Sequence, residues 1–337
     1  MSVKLLVFIL LISLLIPGEE IFGQQTAHKF IKEVNYLLSL PDGYNKNTEV
    51  KWPAILFLHG AGEVGNDLEK VKTHGPPKLI KAGQKIPFIV ISPQVAAGYY
   101  EWSPDLLMLM MKEIIKKYRI DPDRVYLSGL SMGGYGTWDL AMRYPDLFAA
   151  IAPICGAGNP VEAWKIRHTP IWIFHGENDI SVPVKNAHIM YQHLSLYGNT
   201  KLTIYPSAGH DSWTATYNRP DLYSWFLSHK RFLFEEVPTL IKPEKIIGTY
   251  ISGNDTVNNL IDYAKIYLND GKLFFKSKSN WNKEQSIFAS CDSSFFFQKN
   301  NLSEIKFKIE NNGDCNSFIY FKHSSSNSKK LLFKRIH

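Results

Sequence analysis

The chain has 337 residues, of which 45% are hydrophobic and 20% are charged, so its composition is that of a globular protein with ample material for a core. Its formal net charge is +7, and residues 240–337 hold most of this surplus, with 15 Lys/Arg against 9 Asp/Glu. We expect no nucleic-acid partner. The basic C-terminal region is either a solvated face or a weak attraction for acidic polymers and anionic surfaces.

The N-terminus has the pattern of a cleavable signal peptide. Lys4 precedes an apolar run, Leu5–Ile16, which ends at Pro17-Gly18. The run is shorter than the roughly 20 apolar residues that span a bilayer. We predict a signal peptide over residues 1–23, no transmembrane segment, and a secreted or periplasmic protein.

The three cysteines give little sign of a cofactor. Cys155 lies in an apolar segment, where it is expected to be a small buried hydrophobe. Cys291 and Cys315 lie in the C-terminal region, and in an exported protein they either form a disulfide or remain thiols, which their spacing does not decide. No CxxC, HExxH or Cys/His cluster occurs, so we predict no metal site.

Residues 33–230 alternate between short apolar runs and longer segments with helical spacing. Such alternation predicts an α/β fold, in which a mostly parallel sheet is covered by helices on both faces. The predicted strands are Ala54–His59, Phe88–Ser92, Val125–Gly129, Ala149–Ile154, Ile171–His175 and Leu202–Tyr205. The predicted helices are Asp105–Lys117, Met132–Tyr144, Pro183–Leu196 and Asp221–Ser228.

The pattern changes after Arg231. A connector with Pro238 and Pro243 precedes short alternating segments, such as residues 305–310, that are typical of antiparallel strands. Residues 269–271 and 311–313 are predicted hairpin turns, and residues 324–330 a polar loop. We predict a catalytic domain over residues 24–237, a linker over 238–245, and a small antiparallel β domain over 246–337.

The strongest chemical motif is the segment Gly129-Leu130-Ser131-Met132-Gly133-Gly134. It follows a predicted strand and opens a predicted helix, which is the context that a G-x-S-x-G nucleophile turn requires. A serine on such a turn projects its hydroxyl outward, and the helix N-terminus adds positive potential where an oxyanion would form. Ser131 is therefore the candidate nucleophile.

A glycine-rich loop, His59-Gly60-Ala61-Gly62-Glu63, follows another predicted strand. This is where an oxyanion loop is expected, and the backbone N–H groups of Ala61 and Met132 are the candidate donors. The loop also matches G-x-G-x-x-G, but no acidic residue ends the next strand and Glu63 would lie beside a pyrophosphate. The nucleotide-binding interpretation is therefore disfavoured.

Two further polar residues follow predicted strands. Asp179 comes after the strand that ends at His175, and His210 comes after the last strand of the region. His210 is the candidate general base and Asp179 the acid that orients it. Asp211 and Glu177 are competitors for the acid, and Asp211 is disfavoured because a side chain next in sequence to the histidine usually points away from it.

The segments around His59, Ser131, Asp179 and His210 resemble the α/β-hydrolase superfamily, and the resemblance extends over about residues 35–230. The resemblance is greatest to its carboxylesterase, feruloyl-esterase and dienelactone-hydrolase-like branch, which overlaps prolyl-oligopeptidase-like serine peptidases. The order Ser131, Asp179, His210 is that of the superfamily. The resemblance implies an acyl-enzyme mechanism without a cofactor. Trp102 and Trp213 are candidate substrate-binding residues, although ordinary core packing is an equal alternative for each.

The sequence favours an esterase over a peptidase. Prolyl-oligopeptidase-like enzymes usually carry a large N-terminal propeller, for which the segment before the first predicted strand is too short. Family analogy suggests acetyl or feruloyl esters, as small molecules or attached to polysaccharides. A non-catalytic binding protein is disfavoured because every triad position is filled, and the C-terminal β domain remains a candidate for binding a polymer or a surface.

Overall fold

A computed structural model of the chain describes residues 34–46, 48–232, 241–252, 263–277, 285–289, 294–296, 303–310, 314–324 and 327–336. The predicted signal peptide, the predicted turn at residues 311–313 and Cys291 lie outside these ranges. Cys315 is a buried free thiol. No helix within the described ranges is long and apolar enough to cross a membrane.

The first sheet has seven strands in the order β1-β3-β2-β4-β5-β6-β7. β1 is antiparallel to β3, and the other neighbouring strands are parallel. This arrangement confirms the predicted α/β class. The strands are β1 (Tyr36–Ser39), β2 (Trp52–Leu58), β3 (Ile89–Pro93), β4 (Ile120–Leu130), β5 (Ala150–Ile154), β6 (Ile171–Gly176) and β7 (Thr200–Tyr205).

Helices cover both faces of this sheet. Alternate residues of β2 point to opposite sides, so that Leu56 joins one buried core and Phe57 joins the other. The helices are α1 (Gly75–Lys81), α2 (Pro104–Lys117), α3 (Met132–Arg143), α4 (Lys185–Leu194), α5 (Trp213–Tyr217), α6 (Pro220–Leu227) and α7 (Pro243–Ile246). Side chains of α2, α3 and α4 pack in the core that contains Leu56, and side chains of α5 and α6 pack in the core that contains Phe57. Short 3₁₀ turns occupy Ala61–Glu63, Leu68–Thr73, Pro160–Ile166 and Ser195–Tyr197.

The C-terminal region forms a separate antiparallel sheet that closes on itself. Its strands pair in the order β10-β11-β12-β13-β14-β15-β8-β9, and β9 pairs with β10, which makes an eight-stranded barrel. Closure leaves no edge strand open to unwanted pairing. The strands are β8 (Gly248–Ser252), β9 (Tyr263–Asn269), β10 (Lys272–Ser277), β11 (Gln285–Ala289), β12 (Ser294–Phe296), β13 (Glu304–Lys308), β14 (Ser317–Ser324) and β15 (Asn327–Ile336).

Two turn predictions in the barrel have different outcomes. Asp270 and Gly271 join β9 to β10 with φ values of 48° and 73°, the positive pair that a two-residue hairpin needs. The loop predicted over residues 324–330 is wrong, because β15 already begins at Asn327 and pairs with β14. Polar side chains do not prevent this pairing, since the ladder is made by backbone hydrogen bonds.

The barrel contacts the α/β region through buried groups. Glu304 lies 3.0 Å from His168 and 3.6 Å from Arg167, measured between oxygen and nitrogen. The ring centroids of Tyr197 and Phe321 are 5.6 Å apart, and Phe321 is buried in one of the two cores of the α/β region. The division into a catalytic domain over residues 24–237, a linker over 238–245 and a β domain over 246–337 stays a prediction.

Candidate active site

Three loops at one edge of the parallel sheet carry the predicted nucleophile, base and acid. Ser131 directly follows β4, Asp179 follows β6, and His210 follows β7. Carboxyl ends of parallel strands lie at the same edge of a sheet, which is where α/β proteins bind their ligands. Residues far apart in sequence therefore meet there.

Ser131 occupies a backbone conformation that side-chain-bearing residues seldom adopt. Its φ is 53° and its ψ is −118°, between the end of β4 and the start of α3. Neighbouring glycines make so sharp a turn possible. A Cβ on Gly133 would lie 2.0 Å from the carbonyl oxygen of Leu58, and one on Gly129 would lie 2.3 Å from that of Gly133. The turn thus needs glycine at both positions and holds the serine hydroxyl outward.

The side chains of Ser131, His210 and Asp179 form a continuous hydrogen-bonded chain. His210 Nε2 lies 2.9 Å from Ser131 Oγ, and His210 Nδ1 lies 2.8 Å from Asp179 Oδ2. Asp211 faces elsewhere, since its carboxylate accepts hydrogen bonds from the backbone N–H and the hydroxyl of Thr214 at 2.9 and 2.8 Å. Of Asp179 and Asp211, only Asp179 makes a hydrogen bond with His210.

Asp179 is buried but well supplied with hydrogen-bond donors. Its Oδ1 accepts from the backbone N–H groups of Ser181 and Val182 at 2.9 and 2.8 Å. Burial alone would raise the pKa of Asp179, but hydrogen bonds from His210, Val182 and Ser181 outweigh it and hold the pKa below its ordinary value. The carboxylate is therefore ionised at neutral pH.

A second histidine, His175, also reaches Asp179, and the sequence interpretation missed it. Its Nε2 lies 2.8 Å from the carbonyl oxygen of Val182 and 3.2 Å from Asp179 Oδ2. Burial is the main cause of the lowered pKa of His175, so the ring is neutral, and the proton on Nε2 is the one that these acceptors require. The four-residue spacing of His175 and Asp179 was the available signal.

The oxyanion loop is fixed by His59. The backbone N–H of Val95 donates to His59 Nε2 at 3.0 Å, so the ring proton lies on Nδ1, which donates to the Gly60 carbonyl at 2.6 Å. Burial lowers the pKa of His59 to about 4, and the ring stays neutral. Because C=O and N–H point in opposite directions in a trans peptide, this bond aims the Ala61 N–H away from His59.

The two candidate oxyanion donors share a structural position. Ala61 and Met132 are each the first residue of a helical turn, where the backbone N–H has no acceptor within the helix. The neighbouring Gly60 N–H is already used, since it donates to Glu63 Oε2 at 2.8 Å. Ala61 and Met132 both line one cavity, where their N–H groups are the candidate donors.

Trp213 packs against His210. Its ring meets that of His210 edge to face at 5.3 Å, and its indole N–H donates to His74 Nδ1 at 3.2 Å. The other ring nitrogen of His74 lies 3.7 Å from Glu63 Oε1. His74 therefore links the residue that packs on His210 to the oxyanion loop, a role that no local sequence pattern indicates.

A cavity of about 600 Å³ opens beside the oxyanion loop, with Ala61, Met132 and Trp102 in its wall. The Trp102 ring is buried, and its indole N–H donates to the carbonyl of His59 at 3.3 Å. The structure thus places one of the two predicted substrate-binding tryptophans in the cavity wall and the other against the ring of His210.

Cys155, Asp179 and His210 form the one group of three potential metal ligands among the described residues, with their ligand atoms within 4.8 Å of one another. Burial raises the pKa of Cys155 to about 12, so its thiol is protonated at neutral pH. Asp179 and His210 are already bonded to each other. This donor set is poorly suited to a metal ion, because a thiolate and a free imidazole nitrogen are what such an ion needs.

Comparison with known proteins adds a family to this geometry. The model of the Dienelactone hydrolase family matches residues 105–224, a segment that contains Ser131, Asp179 and His210. A solved thermostable esterase superimposes with a TM-score of 0.51 and 31% sequence identity, over 59% of this chain and 60% of that chain.

Curated relatives include two esterases. The chain is 33% identical over 134 residues to the bifunctional acetylxylan esterase/xylanase XynS20E of Neocallimastix patriciarum, which is 38% of this chain and 19% of that protein. It is 24% identical over 165 residues to Feruloyl esterase B of Talaromyces funiculosus, which is 49% of this chain and 43% of that protein. The chain thus spans less than half the length of either relative. The parallel sheet, the strand–turn–helix at Ser131 and these matches show that the chain has the α/β-hydrolase fold.

Proposed function

We propose that this protein is a serine esterase that cleaves carboxylic esters through an acyl-enzyme. The observation that carries the proposal is the hydrogen-bonded series Ser131–His210–Asp179, with oxygen-to-nitrogen distances of 2.9 and 2.8 Å, on a strained turn at the N-terminus of α3. A nucleophile, a base and an orienting acid in hydrogen-bond contact are what acyl transfer by a serine requires.

In the first half of the reaction, the hydroxyl oxygen of Ser131 attacks the ester carbonyl carbon while His210 Nε2 accepts the hydroxyl proton. The carbonyl oxygen becomes an oxyanion, which the N–H groups of Ala61 and Met132 stabilise. Each such donor contributes roughly 10²–10³ in rate in enzymes of this type. His210 then protonates the departing alcohol, and the acyl group remains on Ser131.

In the second half, water takes the place of the alcohol. His210 removes a proton from the water as its oxygen attacks the acyl carbon, and the acid leaves when Ser131 regains its proton. Asp179 remains ionised throughout, holds the imidazole in the tautomer with its proton on Nδ1, and stabilises the imidazolium that forms twice per cycle.

Acetyl or feruloyl esters, attached to small molecules or polysaccharides, are the substrates we propose. The names of the two curated relatives support these acyl groups. The proposal includes export through the signal peptide at residues 1–23, which N-terminal sequencing of the exported protein tests. The basic barrel region, with 15 Lys/Arg against 9 Asp/Glu from residue 240 onward, suits weak attachment to an anionic polymer.

The test is a paired assay of the purified protein on aryl acetates, methyl ferulate and proline-containing peptide anilides. We expect hydrolysis of at least one ester class at a kcat/KM well above that for any anilide. Faster cleavage of the anilides would instead favour a prolyl-oligopeptidase-like peptidase. Absence of hydrolysis of all three, together with no labelling by a fluorophosphonate, would favour a binding protein.

A further inference from the structure

The cavity beside the oxyanion loop has a strongly one-sided charge. Its wall contains the carboxylates of Glu101, Asp139 and Glu162, and none of the described residues that line it is Lys, Arg or His. Lys165 lies outside the wall and pairs with Glu162 at 3.0 Å. Within the described residues, neither Glu101 nor Asp139 has an ion pair.

The surroundings of Asp139 compensate this negative charge only in part. The nearby Arg143 already makes a two-pronged contact with Asp105 at 2.7 and 3.0 Å. Partial burial raises the pKa of Asp139, Arg143 opposes that shift, and Glu162, Glu101 and Asp105 add to it. Like charges therefore converge on one cavity, an arrangement that costs free energy unless a cation occupies it.

Aromatic rings complete the wall. Tyr100 and Tyr135 line the cavity and are 74% and 43% exposed, and the buried Trp102 also lines it. Faces of such rings attract cations, because the ring quadrupole is negative above and below its plane. Trp138 also lines the cavity; it is 1% exposed, and among the described residues its indole N–H has no hydrogen-bond partner.

We propose that this cavity selects esters that carry an ammonium group in the part bound there, over neutral and anionic esters of the same shape. Asp139 and Glu162 are the specificity-determining residues, and the rings of Tyr100 and Tyr135 pack on the cation. The inference rests on the proposed function, because the cavity adjoins Ser131 through Ala61 and Met132.

Two matched substrate series test the charge preference. In the acyl series, phenyl esters of 4-trimethylammoniobutanoate, 5,5-dimethylhexanoate and glutarate carry a positive, neutral or negative end group. In the alcohol series, O-acetylcholine is compared with 3,3-dimethylbutyl acetate. We expect the cationic ester to exceed its neutral isostere about tenfold in kcat/KM in one series, and added salt to reduce this ratio.

The double variant Asp139→Asn/Glu162→Gln should bring the ratio of cationic to neutral ester close to one. Glu113→Gln, which removes an exposed carboxylate on α2 outside the cavity, should leave the ratio as it is. An unchanged ratio in the double variant, or a ratio near one in both series of the native protein, would overturn the inference. Failure of the proposed function is a separate result: no neutral ester would then be hydrolysed by the native protein.

Discussion

The seven-stranded sheet and the eight-stranded barrel place their polar groups differently. The sheet gathers a strained serine, a buried ionised carboxylate and two helix N-termini at one edge. The barrel interior is apolar and largely aromatic, as where Phe318 and Phe333 stack with centroids 4.9 Å apart. Its buried carboxylate, Glu304, faces the α/β region. Backbone strain and buried charge do not stabilise the fold, so their presence at one edge of the sheet indicates a functional site. The apolar core of the barrel is instead typical of a region that contributes stability.

The largest expected effect is on the sheet side. Ser131→Ala should reduce ester hydrolysis by roughly 10⁶, the typical loss when a serine nucleophile is removed, because no other group can carry the acyl intermediate. Labelling with a fluorophosphonate and turnover of an aryl acetate are the measurements. Ser207→Ala, an exposed hydroxyl near His210 in the chain, is the control and should react normally. Full labelling of Ser131→Ala would place the nucleophile elsewhere.

The next largest effect distinguishes Asp179 from Asp211 as the acid that orients His210. Asp179→Asn should lower kcat by roughly 10⁴, because an amide favours the wrong tautomer of His210. Asp211→Asn should have little effect on kcat, since that carboxylate caps Thr214. Steady-state kinetics with circular dichroism as a folding check measure both. If only Asp211→Asn is impaired, the orienting acid has been assigned to the wrong residue.

The barrel prediction concerns stability and not turnover. Glu304→Gln should destabilise the protein by about 3–5 kcal/mol, because Arg167 and His168 lose their buried carboxylate partner. Glu310→Gln is the matched control on the exposed barrel surface and should change stability by about 0.5 kcal/mol or less. Urea unfolding followed by fluorescence gives both values. A folded Glu304→Gln protein that cannot hydrolyse esters would show that the barrel takes part in the chemistry.

The smallest effect sharpens the role of His175 as a positioning residue. His175→Phe keeps a ring but removes the N–H that faces Asp179, and we expect kcat to fall about tenfold with little change in KM. His175→Gln retains an N–H donor and should recover part of that loss. Equal losses of kcat in both variants, in proportion to a loss of stability, would mean that the ring only fills space.

Local patterns in the sequence were sufficient for the fold class and for the segments that form the site. The strand–turn–helix around Ser131 depends on glycines within two residues of it, so a short window contains the whole requirement. Six of the seven strands of the sheet were predicted to within about five residues, because buried parallel strands are continuous apolar runs, whereas the antiparallel strand β1 was missed. The barrel strands were less certain, and β15 begins inside a segment predicted to be a loop.

What the sequence by itself determined is therefore the α/β class, the nucleophile turn, and the set of polar residues at the ends of strands. Only the tertiary structure decided which of them meet: Asp179 contacts His210 while Asp211 accepts hydrogen bonds from Thr214, Trp213 packs against the histidine ring, and Glu304 reaches the α/β region. The physical reason is the separation along the sequence of the residues that determine each feature. A turn or a strand is fixed by neighbouring residues, whereas a contact between residues 31 or 136 positions apart depends on the order in which strands are placed side by side.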